Sequence, residues 1–193
     1  LWRKGGMRPG DRLILTKPLG TGTLLAAQMR GQARACWIES ALVTMQQSAR
    51  AAADCLRRHH VTACTDVTGF GLLGHLLEMV RASGVDVELS LTDLPLLEGA
   101  AETIRAGVLS SSHSQNASAQ TAVFDLDTVS GHERFAVLFD PQTAGGLLAS
   151  VPERETVACV AALRQAGYAQ CAVVGRVKTR QHPAQPIHFA SAR

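Results

Sequence analysis

Thr65 to Glu78 reads Thr-Asp-Val-Thr-Gly-Phe-Gly-Leu-Leu-Gly-His-Leu-Leu-Glu, and at this stretch a short β-branched strand, Val61 to Thr65, gives way to an amphipathic helix. The helix is expected over Gly71 to Ala82, where Leu72, Leu73, Leu76, Leu77, Met79 and Val80 form one broad apolar face, and Ser83-Gly84 ends it. Asp66 and Thr68 stand at the turn against Gly69 and Gly71. Two readings fit. Glycines let backbone N–H groups approach an anion, a helix N-terminus offers unsatisfied donors, and a hard Mg²⁺ needs carboxylate oxygen. The turn then holds a phosphate and its metal, with Asp66 as metal ligand and Thr68, Gly69 and Gly71 against the bound nucleotide. The same residues also suit an ordinary strand-to-helix turn with a cap, because Asp, Thr and Gly are favoured there for local reasons. His75, inside the helix, reads as a structural or capping histidine.

Working outward, two further glycine clusters follow apolar runs. Thr16-Lys17-Pro18-Leu19-Gly20-Thr21-Gly22 comes after the strand-like Arg12 to Thr16, and Asp140-Pro141-Gln142-Thr143-Ala144-Gly145-Gly146 comes after Phe135 to Phe139, read as a strand. Helical spacing marks Gly22 to Arg30, Trp37 to Thr44 and Ser48 to His59, with Ser48 as the cap of the last. Val85 to Leu91 alternates as a half-exposed strand, and Leu109 to Asp127 loses periodicity and reads as a long loop or partly ordered excursion. Strand Leu147 to Val151, a helix from Pro152 to Ala166 and strand Ala172 to Val177 complete the pattern. The tail, 178–193, reads as a loose terminus or an edge strand. Alternating strands and helices predict an α/β (α+β) fold, a mixed sheet packed with helices, over one domain spanning 1–193.

Composition narrows the function classes. With 46% hydrophobic residues in 193, the chain can bury about 70% of its extended surface. No apolar run approaches the roughly 18 residues of a spanning helix, so no membrane partner is expected. The start at Leu1, with neither Met nor an apolar leader, reads as a cut inside a longer protein. Five cysteines without a C-x-x-C pair give no disulfide framework or zinc site, and reduced, cytoplasmic thiols are expected, with Cys55, Cys64 and Cys159 buried. The net charge of +3 is scattered. The cluster Arg57-Arg58-His59-His60 sits at a helix end without an aromatic platform, which argues against a nucleic-acid partner.

The three glycine-bearing segments together resemble the C-terminal half of the selenophosphate synthetase (selenide, water dikinase) family, within the aminoimidazole ribonucleotide synthetase-like superfamily. That half carries close counterparts of KPLGTG, TDVTGFGLLGH and DPQTSGGLL in this order, and the likeness runs from about Arg8 to Arg176. Ala144 stands where the family has serine. The resemblance implies an enzyme part: ATP, selenide and water yield selenophosphate, AMP and phosphate, with Mg²⁺ at the ATP phosphates and Asp66 as one of its ligands. The reactive Cys or selenocysteine with its Lys, the nucleotide loop and the remaining metal carboxylates belong to the family's N-terminal half, which also implies a homodimer. The resemblance therefore carries no catalytic residue onto this chain, which alone is expected to be inactive. Two alternatives stand beside this reading: another phosphoryl-transfer enzyme of the same superfamily, and a non-catalytic interaction module of the selenium pathway.

Overall fold

The computed structural model describes residues 2–190, so Leu1 and residues 191–193 of the expected tail lie outside the described residues. Short apolar runs form strands β1 (Arg12–Leu15), β2 (Ala63–Asp66), β3 (Asp86–Leu89), β4 (Leu147–Val151), β5 (Ala172–Lys178) and β6 (Ile187–Phe189). They make one sheet in the order β2-β4-β1-β5-β3-β6. Every pairing is antiparallel except β3 with β6, so the sheet is mixed, as the sequence predicts.

Side chains alternate across the pleat, and each sheet face collects its own helices. Leu13 and Leu15 of β1 and Leu148 of β4 turn to the face covered by α4 (Gly71–Ser83), whose leucines fill the larger core. Ile14, Cys64, Ala149 and Val151 turn the other way, against α3 (Arg50–Arg58) and α8 (Glu153–Gln165). Helices α1 (Thr21–Met29), α2 (Ala35–Gln46) and α5 (Ala100–Arg105) pack beside the sheet in a small separate cluster. Helix α4 ends as expected, with Gly84 N–H returned to Val80 O at 2.9 Å. Glu153 and Glu155 lie in the first turn of α8 and Arg164 in its last, complementing the helix dipole. Helix α3 starts two residues later than expected, at Arg50, and Ser48 Oγ still accepts the Arg50 N–H at 3.2 Å.

One expected strand is not a strand. Phe135–Phe139 forms a 3₁₀ turn. A wholly apolar run has no period that separates strand from helix. Both edges of β4 are already taken by β1 and β2, which leaves no ladder beside it for this segment. It packs instead over α4, with Phe135 and Phe139 edge-to-face at 5.2 Å. The region from Leu109 to Asp127 is no bare loop: it carries α6 (His113–Asn116), a 3₁₀ turn at Ala117–Ala122 and the start of α7 (Leu126–Val129). In the tail, the edge-strand reading holds for β6, which pairs Val87 with Ile187 and Leu89 with Phe189.

The cysteines are all free. Cys55, Cys64, Cys159 and Cys171 are buried and Cys36 is exposed. Burial pushes the thiols of Cys64 and Cys159 up to about 12, so neither is a thiolate at neutral pH.

Candidate functional site

Strand β4 runs antiparallel to both β1 and β2, pairing Leu148 with Leu15 and Leu147 with Asp66. The exits of β1 and β2 and the entry to β4 therefore share one end of the sheet. That topology brings together the three glycine-bearing segments, Thr16 to Gly22, Thr65 to Gly71 and Asp140 to Gly146, which the sequence separates by dozens of residues.

Side chains then lock the segments to one another. Gln142 Oε1 accepts the N–H groups of Gly20 (3.0 Å) and Thr21 (3.3 Å) and the Thr21 hydroxyl (3.2 Å). Gln142 Nε2 donates to Asp140 O (2.8 Å) and Asp140 Oδ2 (2.9 Å), and Gln142 N donates to Thr68 O at 3.0 Å. Asp140 is fully buried; its Oδ2 also accepts Gly22 N–H at 3.1 Å, while its Oδ1 has no hydrogen-bond partner. Burial pushes the Asp140 carboxyl up to about 7 against these hydrogen bonds. Lys17 is buried too, and its Nζ donates to Gln47 O (2.6 Å) and Ala144 O (3.0 Å). Burial lowers its pKa.

Contact or conformation demands glycine at several places in these segments, of which Gly145 and Gly71 shape the central turn. A Cβ on Gly145 would lie 2.1 Å from Val67 O, so only glycine lets the third segment close on the second. Gly71 takes φ +70, and a Cβ there would meet Leu138 O at 2.8 Å. Its N–H is given to Thr68 O at 3.1 Å, which makes Gly71 a shaping residue of the turn.

The remaining sequence-predicted residues lie together on this turn. Asp66 ends β2 with its side chain exposed, and no hydrogen bond or ion pair engages its carboxylate among the described residues. Thr68 is half-buried, with its hydroxyl 3.1 Å from His75 Nε2. Gly69 is exposed, and its carbonyl accepts Asn116 Nδ2 at 2.8 Å. Among the described residues no group of three or more His, Cys, Asp or Glu side chains could hold a metal. Asp66 therefore stands as a single carboxylate, one of the roughly six oxygens that a hard cation such as Mg²⁺ would need. A groove of about 300 Å³ opens beside Gly22, Pro141 and Thr143, walled by α1 and Leu109 to Ser111.

Sequence reasoning passes over Lys17, Asp140 and Gln142 as functional residues. All three lie in the quoted segments, but apart from the Gln142–Asp140 contacts their partners are 30 or more residues away, which no local spacing reveals.

The chain is 35% identical over 176 residues to "Selenide, water dikinase 2" of Peptoclostridium acidaminophilum, covering 91% of this chain and 50% of that protein. It is 40% identical over 174 residues to the selenide, water dikinase of Pelobacter propionicus, covering 90% and 50% respectively. The chain thus spans about half the length of these relatives. Among solved structures, E. coli HypE, a hydrogenase maturation protein, superimposes with a TM-score of 0.68 at 19% identity over 98% of this chain and 49% of that one. Thiamine-monophosphate kinase from Stenotrophomonas maltophilia gives 0.62 at 17% identity, over 97% and 52%. These two share the fold. Residues 8–185 match the C-terminal domain of AIR synthase related protein, and the chain belongs to that family.

Proposed function

We propose that this chain is the C-terminal half of a selenide, water dikinase, which makes selenophosphate from ATP, selenide and water with release of AMP and phosphate. One observation carries the reading. The three segments on which the resemblance rests meet at one end of the sheet, and there the Asp66 carboxylate is left exposed with no partner among the described residues. A scaffold has no use for a free carboxylate at a glycine turn, whereas a Mg²⁺–ATP site does. Mg²⁺, when bound, supplies charge neutralisation at the phosphates. Asp66 would hold the ion, and exposed Gly69 lets the nucleotide phosphates approach the backbone. Gln142, Asp140 and Lys17 keep the three turns in register without touching the ligand.

The rest of the site, including the nucleophile, is supplied by a second half like that of the relatives, through which the protein forms a homodimer in the cytoplasm. Phosphorus NMR with ATP, Mg²⁺ and selenide tests this. The 193-residue chain alone should make no selenophosphate, and the same chain fused in place of the corresponding half of the P. propionicus relative should make it. Selenophosphate from the chain alone at the rate of the whole enzyme, or none from a fusion that folds and binds ATP, would contradict the proposal.

A further inference from the structure

His75 lies on the buried face of α4, 5% exposed among leucines. Its two ring nitrogens meet different surroundings. Nε2 is 3.1 Å from Thr68 Oγ1. Nδ1 is buried and has no partner in good hydrogen-bond geometry, but Glu78 Oε2 stands 3.3 Å from it, one turn along the helix. Glu78 is held in turn by Lys4 Nζ at 2.7 Å. The Lys4 hydrogen bond keeps the Glu78 carboxyl below the usual carboxylate range against partial burial, so the group facing Nδ1 is an anion.

A neutral imidazole carries one proton, and a carboxylate beside Nδ1 favours the tautomer that places it there. Nε2 is then an acceptor, and Thr68 must be the donor. With its proton turned inward to His75, the Thr68 hydroxyl offers only lone pairs outward. Such an oxygen suits a cation or a cation-bound water and is poorly suited to a phosphate oxygen, which needs donors. Thr68 lies two residues beyond the exposed Asp66.

Resting on the Mg²⁺–ATP reading above, we infer that His75 is a positioning residue that turns the Thr68 oxygen outward as a second oxygen donor beside Asp66 for a divalent cation. Thr68 on this account faces the metal or its water rather than the phosphate. Glu78 and Lys4 set the tautomer.

Long-range ¹H–¹⁵N NMR of the 193-residue chain, with the His75 resonances assigned from His75→Gln, reads the tautomer without any metal. The Nδ1–H form should dominate, and Glu78→Gln should shift the population toward Nε2–H; a dominant Nε2–H form in the wild type overturns the inference. In the protein with both halves, Thr68→Val and His75→Leu should each raise the Mg²⁺ concentration for half-maximal turnover by about 10-fold. The double variant should be no worse than either single one, because both remove the same donor. KM for ATP at saturating Mg²⁺ should stay within about twofold, and His75→Gln, whose amide oxygen can accept the Thr68 proton, should recover most of the loss. An unchanged Mg²⁺ midpoint in Thr68→Val, with Asp66→Asn inactive, sinks this inference and leaves the Mg²⁺–ATP reading standing. Full activity in Asp66→Asn sinks both.

Discussion

The two flanks of the sheet spend their polar groups differently. Where β1, β2 and β4 meet their turns, buried side chains bind backbone: Gln142 holds Gly20 and Thr21, Asp140 holds Gly22, and Lys17 holds Ala144. Where β3, β5 and β6 lie side by side, charges pair on a more open face, with Glu88 facing Arg176 at 2.8 Å and Lys178 at 3.1 Å. Larger hollows, about 430 Å³ between Phe124, His132 and His188 and about 600 Å³ beside Leu89, Val173 and Arg176, belong to this second flank. On the function proposed here, depth therefore does not mark the working end of this molecule. The turn end is marked instead by tightly fixed backbone around an exposed carboxylate, which suits the proposed half-site.

Substitutions should expose this contrast. Gly145→Ala places a methyl 2.1 Å from Val67 O and should destabilise by about 3 kcal/mol or more, because backbone on both sides must move. Gly131→Ala, near the second flank and with nothing within 4 Å of the new methyl, should cost less than about 0.5 kcal/mol. Urea melts of the two variants make the comparison.

Next in size is the pH dependence of Asp140. Its folded-state value, about 7, stands above its ordinary 3.8, so the folded chain keeps a proton that the unfolded chain releases. The stability tied to that proton is present below the unfolded value and is lost as pH rises through the folded one. Relative to Asp140→Asn, the wild type should lose on the order of 2–4 kcal/mol between about pH 4 and pH 7, read from denaturation midpoints at each pH. A rise over that range would mean that Asp140 is held as a stabilised carboxylate. The smallest effect belongs to the open flank. Arg176→Ala should cost under about 1 kcal/mol and fade with added salt, because Arg176 is half-exposed and Lys178 still faces Glu88.

These differences also explain what the sequence discloses. Helix α4 is legible because its leucines repeat at helical spacing, and the glycine segments are legible because turns and close approaches demand that residue. Phe135–Phe139 is not, since an unbroken apolar run fits strand and helix alike and only the occupied edges of β4 decide. Asp66, Thr68, Gly69 and Gly71 are found together on one turn because they are neighbours in the chain. Gln142 and Lys17 escape local reading because their partners arrive through the sheet topology, and His75 reads as structural until its neighbours Thr68 and Glu78 are placed in space.

Asp66→Asn in the protein carrying both halves tests the central claim most directly, with turnover and melting temperature measured on the same preparation. Asparagine keeps the size of the side chain and removes the charge a hard cation needs, so Mg²⁺-supported turnover should fall by about 100-fold or more while the melting temperature stays within about 2 °C. Turnover near wild type, with Asp66→Ala mainly lowering the melting temperature, would make Asp66 a turn residue and contradict the account.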